Sequence, residues 1–539
     1  MKRLLLAAFW LFLTTVNVAA QDSVNTNPDK YKGEFGNERV GVLEYLDKSG
    51  EEAAIEPLPR RVVYALSTFK RKLTPGDYLS YVRRFADTLL ARGTDRFGAR
   101  HLPMWAGLID TRDYSVPTMA EAERTKGGEG YYDEIHRRAV GCANIYHDLE
   151  TLRVFEVLSA LAGDPRYARS AREYLAAFLS NTQNEDTGLL GWGEHLYYDF
   201  YEDRVNVGAG GLWHEFLAKT PIWEKLWRVS PERTRRAIQG LRYHFKGPHT
   251  QTYLFNRHAL WSKDTKQPPE SLLGQYQYGY GQPWIKHSAL LAYSLMFLHA
   301  RTGDPQWLQW ALGVGNLYWD HRDRLTNLTV SCIDDPRPTS GKSSLVQTTY
   351  LAYWLYKASE LHPAGAKLRK RALTMFSAVD RHAWRREGKF YFTGAMNLDG
   401  TRFDGVEAPH FNADFGRTAA YFAHREKDPH YLRIARRMID VMERDALPKV
   451  FFAEQVASRI HLLLDVYDLT GERGLVDRAR RYADGGIAGL WRQGLFARRV
   501  GDHFYESKDG VGNFVWALLR LHVRWAGRTK QLGEIDWSY

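Results

Sequence analysis

Cysteine is almost absent from the 539-residue chain, which contains only Cys142 and Cys332. One bridge between them could not hold a chain of this length together, so packing has to stabilise the fold. Neither cysteine lies in a CxxC or zinc spacing, which argues against thiol chemistry and structural zinc. Long apolar runs are also scarce, because no stretch beyond the N-terminus reaches the roughly 20 residues of a spanning helix. We therefore expect no membrane span.

Acidic residues are outnumbered, with 63 Asp and Glu against 74 Lys and Arg and a net charge of +11. A basic surface favours an anionic partner, which leaves nucleic acid, anionic lipid and acidic polysaccharide open. The composition is otherwise ordinary, with 44% hydrophobic residues, so disordered and collagen-like chains are excluded.

The N-terminus resembles a signal peptide. Lys2 and Arg3 precede an apolar run from Leu4 to about Val16, and Val18 and Ala20 occupy the small-residue positions of a cleavage site. We predict cleavage before Gln21, a polar leader over residues 21–57 and a secreted or periplasmic protein. Export makes nucleic acid an improbable partner and favours glycans.

The remainder, residues 58–539, is predicted to form one domain of helical hairpins. In each hairpin an apolar helix is followed by an amphipathic one, which indicates an inner and an outer layer. Three copies are clear: Val154–Leu179, Ala289–Trp319 and Ala419–Met442. Two weaker copies are Leu351–Phe376 and Ile460–Ala483.

The turns of these hairpins have a shared chemistry. Glycine is expected in the left-handed position after the first helix, aspartate as the N-cap of the second, and proline in its first turn. The residues concerned are Gly163, Gly303, Gly471, Asp164, Asp304, Asp428, Pro165, Pro305 and Pro429.

Less regular pairs near Tyr64–Leu90 and Leu212–Phe245 bring the number of hairpins to six or seven. Solenoid repeats keep a fixed period, whereas these hairpins start at uneven intervals with long inserts between them. The pattern therefore predicts an all-α fold, an (α/α) toroid or barrel, whose inserts build a site at one end.

The richest insert spans residues 184–216. Gly191 and Gly193 bracket Trp192 and present His195, while His214 and Glu215 follow on what is expected to be the start of a helix.

A third element places Asn256, Arg257 and His258 side by side. His195, Glu215 and His258 would form a divalent metal site with nitrogen and oxygen ligands.

These residues resemble a known pattern. Family 2 pectate lyases are (α/α)-barrel enzymes that bind a divalent metal through a His, a Glu some twenty residues later and a His some forty beyond, with the catalytic Arg directly before the second His. His195, Glu215, Arg257 and His258 are similar in order and spacing. The resemblance implies β-elimination on a uronic-acid glycan, with Mn²⁺ or Ca²⁺ as cofactor.

The same loop also looks like toroidal lyases that act on alginate or glucuronan without a metal. There Asn256 would neutralise the carboxylate, and His195, His258 and Tyr278 or Tyr280 would transfer protons. Without a metal, Arg257 would serve as a carboxylate clamp, because its guanidinium stays protonated to a pH above about 12.

Other residues are candidates for substrate binding. Trp192, Tyr278, His410, Asn412 and Arg417 lie in or next to the inserts and would line a cleft for an acidic polysaccharide. The basic run 367–372 is interpreted as a solvated face of an outer helix.

Two other functions remain open. A glycoside hydrolase on the same toroid would need paired carboxyl groups, and its candidates are Glu194, Asp199, Asp404, Glu407 and Asp414. A glycan-binding protein without activity would need aromatic residues alone.

Overall fold

The computed structural model describes residues 77–118, 140–193, 196–206, 213–215, 222–245, 253–256, 258–261, 285–333, 341–384, 396–401 and 412–528. The helices in these ranges are α1 (Asp77–Thr88), α2 (Ile145–Ala162), α3 (Arg166–Thr182), α4 (Trp223–Val229), α5 (Pro231–Gly240), α6 (Ile285–Thr302), α7 (Pro305–Asp320), α8 (Leu345–Leu361), α9 (Ala366–Ala383), α10 (Ala413–Glu426), α11 (Pro429–Arg444), α12 (Ala453–Thr470), α13 (Arg473–Leu490) and α14 (Val511–Trp525). A π-helical turn, Leu89–Gly93, continues α1, and 3₁₀ turns lie at Leu241–His244 and Pro363–Gly365.

The strands within the same ranges are short. They are β1 (Leu108–Asp110), β2 (Cys142–Ala143), β3 (Tyr197–Asp199), β4 (Arg204–Asn206), β5 (Trp213–Glu215), β6 (His258–Leu260), β7 (Trp491–Arg492), β8 (Leu495–Phe496) and β9 (Phe504–Glu506). They form small antiparallel sheets in the order β1-β9, β2-β3-β4, β5-β6 and β7-β8. The fold is therefore all-α with small sheets in the connections.

Helices α2, α6, α8, α10, α12 and α14 form the inner layer, as the apolar pattern predicts. Residues 345–356 of α8 and 453–466 of α12 are buried without interruption, so these helices are covered on every side. The outer helix α11 buries one stripe, which includes Tyr431, Ile434 and Met438, and exposes its charged face. Burial of the apolar stripes accounts for the two layers.

The predicted hairpin turns are confirmed with one shift. Gly163, Gly303 and Gly471 adopt positive φ values of 65°, 72° and 72° at the ends of α2, α6 and α12. Asp304 and Asp428 cap α7 and α11. Asp164 accepts a hydrogen bond from the Arg166 backbone nitrogen at 3.1 Å, but α3 begins one residue later than expected because Pro165 takes the cap position.

The ring closes through its first and last described helices. Helix α14 packs against α12 on one side and α2 on the other, and α1 packs on α14 as its outer partner. The short α4 lies between α2 and α6, where the indole of Trp223 donates to Ser294 at 2.8 Å and Lys225 pairs with Glu156. Seven helical pairs form this part of the chain, and the toroid prediction is confirmed.

Closure gives the barrel two unlike ends. The hairpins α2-α3, α6-α7, α8-α9, α10-α11 and α12-α13 are joined by short turns, so their inner helices begin at the same end, where the longer connections also lie. The positive ends of the inner helix dipoles therefore meet there, which favours negative charge.

One expectation about secondary structure is wrong. His214 and Glu215 do not start a helix but lie on β5, which pairs with β6. Cross-strand pairing with a segment more than forty residues away overrides the local helical pattern.

Cys142 and Cys332 are both buried. Burial raises the pKa of the Cys142 thiol well above its usual range, which keeps that thiol protonated. Residues 1–76 lie outside the described ranges, so the signal peptide and the domain boundaries stay predictions. None of the helices that could be examined is long and apolar enough to cross a membrane.

Candidate functional site

The two-stranded sheet β5-β6 brings two predicted ligands together. Glu215 lies directly opposite His258 in the antiparallel register. Such opposite residues have Cβ atoms about 5 Å apart and point to the same face of the sheet. Both are nearly buried, with 4% and 6% of their surfaces exposed. A carboxylate and an imidazole therefore share one face of the sheet.

The other face of β5 is fixed by a pair of histidines. His214 Nδ1 lies 2.8 Å from Nε2 of His244, and His244 Nδ1 lies 2.8 Å from the backbone oxygen of Asn256. A carbonyl can only accept, so His244 carries its proton on Nδ1 and accepts at Nε2 from His214. This chain joins β5 to the segment that leads into β6 and thereby positions Glu215 against His258.

The histidine pair is held neutral. Burial lowers the pKa of His214 well below its ordinary value, and the neighbouring His244 lowers it further. Within the described residues, His214 Nε2 has no hydrogen-bond partner, so a proton there would enter an apolar environment. The pair therefore acts as a neutral support.

Trp192 has a different role from the predicted one. Only 1% of its surface is exposed, and its ring packs on Trp223 at 5.6 Å and on His214 at 6.0 Å. It therefore offers no face to a sugar and instead supports the histidine pair. The tight packing of the insert excludes a stacking role here.

The loop that leads to His195 is anchored by Asn144. Its side-chain nitrogen donates to the Gly193 oxygen at 2.7 Å, and its side-chain oxygen accepts from the Gly193 nitrogen at 3.2 Å. The same residue caps α2. His244 is not singled out by the sequence, where its only signal is a polar residue next to an apolar segment.

Asn412 and Arg417, predicted to bind substrate, are occupied structurally. The Asn412 side chain caps α10 by accepting from the Phe415 nitrogen at 2.9 Å. Arg417 is buried and pairs with Asp465 at 2.9 Å, and the same carboxylate receives Arg520 at 2.6 Å. Removing Arg417 would thus unbalance a buried ion network, which corrects the simple binding role.

Asn256 lies two residues before β6, and 3% of its surface is exposed. Its backbone nitrogen donates to the His244 oxygen at 2.6 Å. Its side-chain oxygen has no hydrogen-bond partner among the described residues. Such an oxygen is an acceptor in a buried position beside β6.

Five predicted site residues lie outside the described ranges: His195, Arg257, Tyr278, Tyr280 and His410. In the part of the chain that the structure covers, no three His, Cys, Asp or Glu residues are grouped for a metal. The structure thus places Glu215 and His258 together, and the complete set stays a prediction.

The hydrolase candidates give no carboxylate pair within the described segments. Glu194, Asp404 and Glu407 fall outside them. Asp199 accepts from the backbone of Tyr201 and from the Asn206 side chain at 2.9 and 3.0 Å, which fits a turn-forming role. Asp414 lies in the first turn of α10, where an acid is favoured by the helix dipole.

Polar and charged residues also lie in the first two turns of the inner helices. These buried polar residues include His147, Glu150, Lys286, Gln347 and Glu454. Burying a polar group in an otherwise apolar layer costs free energy unless that group forms hydrogen bonds with another polar group or with a ligand. In the sequence, these residues can be recognised because they are polar positions within the most apolar helices.

A family model described as periplasmic pectate lyase matches residues 119–353. This stretch is less than half of the chain and contains β5, β6 and all four residues on which the resemblance rests. The resemblance to family 2 pectate lyases is confirmed at this level.

Several solved structures are similar in fold at low sequence identity. The GH76 α-mannanase of Bacteroides thetaiotaomicron has 10% identity and a TM-score of 0.44, covering 84% of this chain and 99% of that one. A family 105 glycoside hydrolase of C. acetobutylicum has 13% identity and a TM-score of 0.40, covering 75% and 98%. Cellobiose 2-epimerase of Bacillus thermoamylovorans has 10% identity and a TM-score of 0.44, covering 82% and 99%.

Proposed function

We propose that the protein is an exported polysaccharide lyase that cleaves a uronic-acid-containing glycan of the pectate type by β-elimination. The observation that carries the proposal is the pairing of Glu215 with His258 across β5-β6. This pair lies within the stretch that matches periplasmic pectate lyases.

The donor set fits a divalent cation. Glu215 and His258 supply one oxygen and one nitrogen from the same face of a sheet, and His195 would supply a second nitrogen. Mixed nitrogen and oxygen ligands suit Mn²⁺, whereas Ca²⁺ prefers oxygen alone. A bound cation at this place would supply charge neutralisation for the uronate carboxylate, which makes its C5 proton more acidic.

The residues of the chain perform the remaining steps. Arg257 would take the C5 proton, the electron pair would form the C4–C5 double bond, and the glycosidic oxygen would leave C4 with a proton from an acid. A guanidinium becomes a base only where its charged form is disfavoured, and a cation site next to it has that effect. The inner helix N-termini would favour the polyanion at this end of the barrel.

The decisive experiment uses the purified protein with polygalacturonate, alginate and glucuronan. A lyase forms an unsaturated uronate, which absorbs in the ultraviolet, whereas a hydrolase releases reducing ends without this absorbance. We expect absorbance on polygalacturonate, its loss on chelation and its return with Mn²⁺. Arg257→Ala should abolish turnover with its effect on kcat as well as KM, because the role concerns charge at the reacting centre.

Two results would redirect the proposal. Activity that resists chelation but is lost in Tyr278→Phe or Tyr280→Phe would favour the metal-free lyase set. Full activity in Arg257→Ala, or reducing ends without ultraviolet absorbance, would refute the lyase and support a hydrolase.

A further inference from the structure

A shallow groove lies in the outer layer of the barrel. It has a volume of about 290 Å³ and runs between α9 and the turn that follows α7. Helix α9 lines it with residues at helical spacing, and the turn lines it with a hydroxyl and an amide. The polar lining residues are Thr326, Asn327, Lys370, Thr374, Ser377 and Arg381.

The positively charged side chains of this groove are exposed to solvent. Lys370 and Arg381 are exposed, and within the described residues neither forms an ion pair. Arg324, which is exposed on the same turn, adds further positive charge. Lys370 and Arg381 are about 16 Å apart along the axis of α9, given a rise of about 1.5 Å per residue.

Two further arginines, on the same turn and the same helix, pack on the ring of Trp319. The guanidinium of Arg322 lies 3.5 Å from the ring centre of Trp319, and that of Arg371 lies 5.2 Å from it. Arg371 also donates to Asn316. The positive charge here is therefore held in place rather than spread over mobile side chains.

Acidic groups do not cancel this charge by pairing. Asp323 accepts from the backbone of Leu325 and Thr326 at 2.8 Å and so shapes the turn. Asp399 accepts from Thr401 in the same way. Both carboxylates are committed to local turns.

A second groove shows the contrast. It lies around the turn between α8 and α9, and its cations are Arg369 and Arg425. Each of these is paired, with Glu426 and Glu360 respectively. Its charges are mutually satisfied, whereas those of the α9 groove face solvent.

We propose that the α9 groove, lined by Lys370 and Arg381, is a secondary binding site for an acidic polysaccharide, distinct from β5-β6. The choice of polysaccharide rests on the proposed function. The short hydroxyl and amide side chains suit sugar hydroxyls and the cations suit uronate carboxylates. The lining contains no aromatic ring among its described residues, whereas single-stranded nucleic acid is usually bound by stacking on aromatic rings.

The position of the groove explains its use. Arg381 lies in the last turn of α9, which ends at the same end of the barrel as the inner helix N-termini. A long polymer that leaves that end can descend over the rim along Arg381 towards Lys370. The groove would hold long chains near the cleft and would have no effect on short ones.

The test separates binding from catalysis. Retardation of the full-length protein in gels containing polygalacturonate is measured in the Arg257→Ala background, so that the polymer stays intact. Lys370→Ala/Arg381→Ala should weaken binding roughly tenfold, because each cation near an anionic surface contributes a several-fold effect. Lys370→Glu/Arg381→Glu should weaken it further. When Lys370→Ala/Arg381→Ala is instead made in the protein that keeps Arg257, the KM should rise for the polymer and stay unchanged for a trimer of the same sugar.

The matched control is Arg169→Ala/Arg172→Ala, which removes two exposed cations from the outer helix α3. Equal losses in both double variants would mean a general charge effect and would overturn the site. Unchanged binding in the Lys370/Arg381 variants would overturn it as well, as would a loss seen with a DNA oligonucleotide but not with polygalacturonate. A specific loss of polygalacturonate binding supports the groove even if no lyase product ever forms, and in that case only the proposed function fails.

Discussion

His244 is the residue whose importance is least visible in the sequence. It accepts a hydrogen bond from His214 and donates one to the Asn256 carbonyl, and so joins the two strands that hold Glu215 and His258. We expect His244→Phe to destabilise the protein by about 2 to 4 kcal/mol, because two buried polar groups lose their partner. Chemical denaturation measures the loss, and calorimetry should show weaker Mn²⁺ binding.

His430→Ala is the control for this variant, because His430 is exposed on the outer helix α11. It should change neither quantity. A His244→Phe protein with normal stability and normal Mn²⁺ affinity would show that the histidine chain does not position the site.

Asp148 predicts a pH dependence of stability. Burial raises the pKa of Asp148 to about 7, although the Tyr174 hydroxyl donates to it at 2.6 Å. An unfolded aspartate titrates near pH 3.9, so the native state holds the extra proton between about pH 4 and 7. Stability from this group is present below that window and is lost as the pH rises through it.

Asp148→Asn should remove this dependence, since an amide stays neutral. In denaturation curves the variant should gain stability relative to the parent from about pH 4 to 7 and then run parallel to it. Asp186→Asn, on an exposed turn, is the comparison. A constant difference between Asp148→Asn and the parent across this range would contradict a raised pKa.

The spacing of the residues, together with the resemblance to pectate lyases, pointed to Glu215 and His258 as candidate ligands, and these two residues lie opposite each other in β5-β6. Spacing could not predict His244, whose partners lie 30 and 12 positions away. Nor could it separate Trp192 as a buried support from Trp192 as a binding residue, because both uses need the same aromatic side chain in an insert.

At the scale of elements, the hairpin turns were predictable because their chemistry is local. Gly471 ends α12 with a φ of 72°, and a Cβ there would meet nothing within 4 Å. Gly471→Ala should therefore cost about 1 kcal/mol from backbone strain alone. Thermal unfolding of the variant measures this loss.

Gly485→Ala provides the opposite case within the next helix. Gly485 is exposed inside α13, and a Cβ there also meets nothing within 4 Å. Alanine should stabilise α13 by about 0.5 to 1 kcal/mol. A loss of stability in this variant, or none in Gly471→Ala, would contradict the assignment of the strain to the left-handed turn.

Strand β5 was not predictable by the same means. Trp213, His214 and Glu215 carry no alternation of their own, and the strand exists because His258, Ala259 and Leu260 lie opposite. Isolated pairs of three residues are set by tertiary contacts rather than by propensity. Local patterns thus defined the barrel but left the site's own sheet undetermined.

For the whole molecule, closure predicts a cooperative core. Helix α14 covers apolar faces of both α2 and α12, so a chain that ends at residue 510 would leave both faces bare. We expect this truncated protein to bind a hydrophobic dye and to aggregate, whereas a chain that ends at residue 528 should stay folded. If the chain that ends at residue 510 unfolds cooperatively with the stability of the full-length protein, closure of the ring is not required for folding.

Closure also has a consequence in time. The Tyr78 hydroxyl donates to Asp484 at 2.6 Å across 406 positions of the chain, so this contact waits for nearly the whole polypeptide to be made. At about 5 to 20 residues per second, synthesis of the intervening chain takes roughly 20 to 80 s. During that interval the ring cannot close around α1. A chaperone or a translocase that binds unfolded chains can therefore bind this one before the last helix has been made.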